Sequence, residues 1–243
     1  MAIGLLFVVT LLYIQWWPSA IVAATVTVLV LSFFRDPYRS IPSDRNILVS
    51  PADGRVTSVH ELDHFEPFGG PALCIRIFLS VLNVHVNRSP CHGVVNSIER
   101  QAGDHLSALN PKAADQNEWS LMVLRHPTRG TPIAAVRQIA GRLARTIICR
   151  VHKDQILQRG ERFGMIVLGS TAELYIPACL QPRPNVIKGQ KVAGGTTILA
   201  RIVMGHDRPR DKQDTRARVE KREATVAKAH QNGPSANSRF QLR

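Results

Sequence analysis

The first 34 residues contain no Asp, Glu, Lys or Arg. Acidic residues are scarce throughout: 18 Asp plus Glu against 31 Lys plus Arg give a formal net charge of +13. A deficit of that size points to an anionic partner, whether nucleic acid, an acidic membrane face or an acidic substrate. There is no C-x-x-C pair. The four cysteines (Cys74, Cys91, Cys149, Cys179) are spaced 17, 58 and 30 apart, which excludes a zinc ribbon, a thioredoxin-type site and a dense disulfide framework. Scattered thiols suit a reducing compartment and behave as small buried apolar side chains. Also missing are a phosphate loop, a dinucleotide glycine fingerprint, a zinc-protease helix and a Gly-x-Ser-x-Gly elbow. With 44% apolar and 20% charged residues in 243, wholesale disorder, collagen and coiled coil are ruled out.

What the N-terminus does have is length and apolarity. As one helix, 34 residues would reach about 51 Å, against about 30 Å of bilayer hydrocarbon. Pro18 follows the aromatic cluster Tyr13, Trp16 and Trp17, so the segment reads as one kinked span or as a re-entrant hairpin. The aromatics fit an interfacial belt in either form. A cleaved signal peptide would need a basic start and a shorter apolar run. A buried core helix is the remaining alternative. Arg35, Arg39, Arg45 and Arg55 follow at once, and the positive-inside bias then keeps the rest of the chain on the cytoplasmic side of the cell membrane.

From about residue 46 to 206 the chain reads as short strands between turn signals, one compact, mainly β (α+β) domain. Leu73, Ile75, Ile77 and Leu79 alternate with Cys74, Arg76 and Phe78, the period of a strand. Similar runs occur at 55–59, 84–87, 93–98, 121–124, 165–168 and 173–176. The stretch 133–151 is open between a strand pair and a strand followed by a short helix. Residues 185–195 place their glycines for a tight turn between two strands, like the turn of lipoyl and biotinyl domains, a feature shared with hammerhead folds. Residues 207–243 carry ten Lys or Arg against five Asp or Glu and few large apolar side chains, so a disordered basic tail is expected there. The domains are thus 1–34, 35–206 and 207–243.

Three segments gather reactive groups: Ser50–Val56 with Asp53, Phe78–Pro90 with His85 and Arg88, and Arg162–Thr171 with Gly169-Ser170. Each alone has an ordinary structural reading, an Asp-Gly turn, a satisfied histidine and a strand-ending turn. Together they supply a hydroxyl, a base to take its proton and an acid to orient the base.

At these residues the chain resembles the phosphatidylserine decarboxylases, in the short membrane-associated form. The pieces stand in family order: Phe33-Phe-Arg-Asp-Pro37, the Ser50–Val56 turn, Asn83–Pro90, Asn117-Glu118, Val136-Arg-Gln-Ile-Ala-Gly141, Arg162-Phe-Gly164 and Leu168-Gly-Ser-Thr171. They span about residues 30 to 203. Longer members carry a second histidine where this chain has Arg88, so His85 stands for self-processing, for decarboxylation or for both.

The resemblance implies an enzyme that makes its own pyruvoyl group from Ser170, with no metal. The Ser170 hydroxyl attacks the Gly169 carbonyl, elimination splits the chain, and the resulting ketone forms a Schiff base with the amine of phosphatidylserine. Phosphatidylethanolamine is the implied product. His85 is the expected base with Asp53 supporting it, Arg88 a substrate-binding group that also opposes charge on His85, and His92 the fallback base. The implied partners are an anionic phospholipid membrane and the chain's own products, 1–169 paired with 170–243, without nucleic acid. Two other classes stay open here. A lipoyl-like membrane adaptor would leave the chain uncut, and a serine hydrolase would keep Ser170 as a free hydroxyl.

Overall fold

The computed structural model describes residues 2–44, 46–104, 106, 116–141, 146–166 and 170–203, apart from the side chains of 2–12 and 15. Gly169 and the tail 207–243 therefore lie outside the described residues. Helix α1 (Ala2–Phe33) runs without interruption through Pro18, so the segment forms one helix and not a hairpin. Its window Trp16–Phe33, at mean hydropathy 1.7, is long and apolar enough to cross a membrane, and only 6% of it is buried. That exposure replaces the core-helix alternative. The hydroxyls of Ser19, Thr25 and Thr27 donate back to the carbonyls of Trp16, Ile21 and Ala23, the self-satisfaction a polar side chain needs where water is absent.

The rest is β-structure. The strands are β1 (Ile47–Val49), β2 (Gly54–Phe65), β3 (Gly70–Leu79), β4 (Val86–Arg88), β5 (Gly93–Gln101), β6 (Trp119–Arg125) and β7 (Pro132–Ile139). They continue as β8 (Ile147–Cys149), β9 (Ile156–Leu157), β10 (Arg162–Ile166), β11 (Ser170–Pro177), β12 (Arg183–Pro184), β13 (Lys191–Val192) and β14 (Ile198–Arg201). One eight-stranded sheet runs β13-β2-β3-β11-β7-β6-β5-β9, beside two three-stranded sheets, β1-β14-β12 and β4-β10-β8.

The alternation in β3 sorts as the sequence predicts. Ile75, Ile77 and Leu79 are fully buried and share a face with Ala172, Leu174 and Ile176 of β11, whose register pairs Leu79 with Ser170 and Ile77 with Ala172. The opposite face is not solvent. Cys74, Tyr175, Leu121, Val123 and Ala135 form a second core there, with Leu62, Phe65, Phe68 and Trp119 packed against it. The central strands are thus buried on both faces.

One sequence expectation changes and another holds. The stretch 133–151 yields β7 and β8, which are strands of different sheets and neither a pair nor a strand and helix. The glycine-rich segment does turn tightly, with Gln190 N–H donating to the Ile187 carbonyl at 3.2 Å and Gly189 at φ +90°. Yet its flanking strands do not pair with each other: β12 joins β14 and β13 joins β2. Of the run 165–168, only Met165 and Ile166 belong to β10, and 167 and 168 lie outside the described residues. The cysteines are free, three buried and Cys179 exposed.

Candidate active site

Ser170 opens β11 opposite Leu79, the last residue of β3. Past Leu79 the chain reverses in a tight turn, in which Asn83 N–H donates to the Ser80 carbonyl at 2.9 Å. The Asn83 side chain accepts from the Ser80 N–H and hydroxyl at 2.8 and 2.7 Å. His85 follows, and its carbonyl accepts the N–H of Ile166, the last residue of β10, at 3.3 Å. The junction before Ser170 therefore begins at a residue bonded to His85 and ends at one paired with Leu79. Local hydrogen bonding thus links His85 to Ser170 through the short segment 167–169.

Both groups are fully buried. Neither ring nitrogen of His85 and not the Ser170 hydroxyl has a hydrogen-bond partner. Leaving such a group unpaired costs about 1–3 kcal/mol, and native folds rarely do so without a chemical use. Phe33 covers the imidazole, with ring centroids 4.3 Å apart and planes tilted by 35°. Burial holds the His85 pKa below its usual 6.5; the Asn83 backbone offsets part of this, the charge of Arg35 lowers it further, and Asp53 raises it least. The ring is therefore neutral at neutral pH and free to accept a proton.

Asp53 is placed by Gly54. A Cβ at Gly54 would stand 2.2 Å from the Phe78 carbonyl oxygen, so only glycine lets β2 start this close to the end of β3. The Asp53 carboxylate is committed elsewhere: Arg39 donates to one oxygen at 2.7 Å and the Gly194 N–H to the other at 2.7 Å. Asp53 therefore reaches His85 through its field and not through a hydrogen bond.

Arg88 is engaged within the fold. Its guanidinium donates to the Gly160 carbonyl at 2.9 Å and to Asp36 at 2.6 Å, and Asp36 also pairs with Arg162. Arg88 thus ties β4 to the segment after α1, and the cation that acts on His85 is Arg35. His92, the fallback base, is exposed. Among the described residues no group of three or more His, Cys, Asp or Glu side chains could hold a metal.

Sequence reasoning missed the supporting residues. Phe33, Arg35 and Arg39 were visible only as an aromatic end and positive charge, yet they cover the base, bias its charge and fix Asp53. Gln138 was visible within the segment 136–141. Its amide donates to the Asn87 side-chain oxygen at 2.8 Å, bridging β7 to β4 between the two sheets that carry Ser170 and lead from His85. No spacing rule links positions 51 residues apart.

A family model described as phosphatidylserine decarboxylase matches residues 26–200. A phosphatidylserine decarboxylase proenzyme of Rhodopirellula baltica is 41% identical over 190 residues, covering 78% of each chain. That of Salinibacter ruber is 42% identical over 197 residues, covering 79% of this chain and 85% of its own. That of Ralstonia nicotianae is 38% identical over 207 residues, covering 82% and 92%. Similarity of this extent takes in α1's last turns, the buried histidine and the strand that Ser170 opens, and by it the chain belongs to the phosphatidylserine decarboxylase family.

Proposed function

We propose that this phosphatidylserine decarboxylase builds a pyruvoyl group from its own Ser170 and uses it to convert phosphatidylserine to phosphatidylethanolamine. The observation that carries the reading is the pair of buried, unpaired groups, the Ser170 hydroxyl and the His85 imidazole, connected through residues 167–169 and the backbone bond from Ile166 to His85. A buried hydroxyl and a neutral base are the two groups such a proton transfer needs.

In the processing step, His85 accepts the Ser170 proton and the oxygen attacks the Gly169 carbonyl carbon. The peptide amide becomes an ester as the proton passes to the serine nitrogen. Removal of the Ser170 α-proton then expels Gly169 as a carboxylate and leaves dehydroalanine, which takes up water and loses ammonia. The α-ketoamide so formed supplies an electrophile for the substrate amine and an electron sink for the bond that carbon dioxide leaves. His85, already neutral and shielded by Phe33, then holds the proton that the substrate carbon takes back. Asp53 favours the transient imidazolium through its field, and Arg39 with the Gly194 N–H keeps that carboxylate in place.

The two products, 1–169 and 170–243, stay together as a heterodimer. β11 lies between β3 and β7, so the smaller piece contributes a strand bonded on both edges by the larger one. Helix α1 anchors the enzyme in the membrane, and the arginines that follow it keep the β-domain at the cytoplasmic face, where an anionic lipid substrate is concentrated.

Intact mass spectrometry of purified protein tests the reading. The expected products are pieces of 169 and 74 residues, the smaller lacking a free N-terminal amine and reacting with hydroxylamine. An active preparation containing only full-length chain with a free Ser170 would overturn it.

A further inference from the structure

At the end of α1 the structure holds an apolar groove of about 420 Å³, lined by Leu29, Phe33, Phe34, Val81, Leu82 and the single cation Arg35. Its volume and its make-up, an apolar wall with two polar residues, Ser32 and Arg35, are those of a small-molecule site. Phe34, Val81 and Leu82 are exposed, Leu82 by 73%. They continue the bare surface of a helix apolar enough to enter a bilayer, so the groove opens at the level where that helix would leave the hydrocarbon.

Arg35 differs from its neighbours. Arg39 pairs with Asp53, and Arg88 and Arg162 pair with Asp36. Arg35 donates only to neutral oxygens, the Ser32 carbonyl and hydroxyl at 2.8 and 3.0 Å and the Leu82 carbonyl at 2.6 Å. Among the described residues no carboxylate neutralises it. Its planar fork is suited to two oxygens of one phosphate.

The groove is also continuous with the catalytic corner. Phe33 forms part of its wall and covers His85 with the same ring. Leu82, whose carbonyl holds Arg35, sits in the turn between Leu79, the partner of Ser170, and His85. A ligand whose phosphate met Arg35 would have a headgroup amine, only a few bonds further on, directed towards that corner.

We propose that Arg35 binds the phosphodiester of the glycerophospholipid substrate, with the glycerol and first acyl carbons lying in the groove and the serine headgroup passing Phe33 towards His85 and Ser170. This inference rests on the decarboxylase reading above. It identifies the occupant as a membrane lipid that slides in from the bilayer beside α1, and it makes Arg35 the residue that selects a charged diester.

The test uses the full, processed protein in detergent and two soluble substrates. One is dihexanoyl phosphatidylserine, and the other is its phosphate methyl triester, which keeps the serine and the chains but has no phosphate charge. Carbon dioxide release from the diester by the unaltered protein is the control, and its absence would refute the decarboxylase reading itself. With that control positive, R35Q should raise KM for the diester on the order of 10- to 100-fold, as loss of hydrogen bonds to a charged group does, whereas any change in kcat from the altered charge near His85 should be the same for both substrates. For the triester, KM of the variant and of the unaltered protein should agree within about twofold. An equal rise of KM on both substrates would reduce Arg35 to a clasp between helix and turn, and an unchanged KM for the diester would remove it from the site.

Should R35Q fail to fold or process, the unaltered enzyme decides. Dihexanoyl phosphatidylethanolamine should compete with the substrate, whereas dihexanoylglycerol and inorganic phosphate at the same concentration should not. Equal inhibition by inorganic phosphate would show that a bare anion suffices and overturn the groove's part. Equal inhibition by the diacylglycerol would do the same to Arg35.

Discussion

Ser170 and Glu173 lie three residues apart on β11, both buried and, by the alternation of a strand, on opposite faces of the sheet. Glu173 is surrounded. Arg76 bonds one carboxylate oxygen at 2.6 Å, the Tyr175 hydroxyl donates to the other at 2.5 Å, and Arg137 stands 3.8 Å away over the Trp119 ring. Burial and then Glu173 push the Tyr175 pKa up, so that hydroxyl remains a donor. Ser170 has no partner, and neither has His85. One strand thus carries a saturated polar cluster and an unsaturated one. The Ser58 and Ser120 hydroxyls are unpaired as well, so it is the combination of an unpaired hydroxyl with an unpaired imidazole that marks this corner as the place to look for chemistry.

The largest expected effect belongs to the unsaturated side. Ser170→Ala should abolish cleavage and activity, with a single uncut chain by intact mass. Stability should be unchanged or raised by up to about 1 kcal/mol, because the substitution deletes an unpaired hydroxyl and no bond. His85→Ala should likewise block processing, and supplying already cleaved chains should not restore decarboxylation. Normal splitting of the His85→Ala protein would confine the ring to the later step.

The saturated side should behave in the opposite way. Glu173→Ala leaves Arg76 and Arg137 beside a buried void and should cost about 3 kcal/mol, the low end for a broken buried pair because Arg76 keeps some solvent. Thermal unfolding would register that as a Tm lower by roughly 6–12 °C, while the fraction that folds still cuts itself. Loss of cleavage at full stability would break the contrast between the two faces.

The contrast also shows what the sequence could and could not carry. Alternation in Leu73–Leu79 exposed the strand, and the Asp53, His85 and Ser170 segments supplied the candidate groups, because each is a local pattern. The second core escaped, since Cys74, Tyr175 and Leu121 become one face only through register between β3, β11, β7 and β6. For Arg88 and Arg35 the sequence suggested nearness to His85 by number. Arg88, three positions away, turns to Asp36, while Arg35, fifty positions away, biases the ring because the end of α1 packs on it. Charge in a sequence has no direction until partners are known.

The buried histidine makes a pH prediction that separates the two faces further. Its native pKa lies below 6.5, so below pH 6.5 the unfolded chain binds a proton that the native chain does not. Stability should then be greatest above that pH. It should fall by at most about 1.4 kcal/mol per pH unit down to the native pKa, beneath which this contribution levels off. Measured on uncut Ser170→Ala protein by denaturant unfolding, the acid-side slope should flatten when His85→Gln is added. An unchanged slope would assign the loss to other groups.

The smallest effect expected is at the bridge between the sheets. Gln138 donates to Asn87 at 2.8 Å, while Asn87 in turn reaches the Pro51 carbonyl only at 3.4 Å, so the Gln138 bond is the stronger hold on Asn87. Gln138→Leu nearly conserves volume and leaves the Asn87 oxygen buried without its donor, a cost of about 1 kcal/mol. Because Asn87 sits two residues after His85 and Gln138 lies opposite Ala172 beside Ser170, loosening the bridge should also slow self-cleavage several-fold at a stability loss too small to explain it. Adding Asn87→Leu removes the stranded oxygen. The double variant should therefore lose less stability than the two single losses added together, yet cleave no faster than Gln138→Leu. If cleavage recovers along with stability, the bridge serves packing alone. If it stays slow, the amide pair holds the base against the nucleophile.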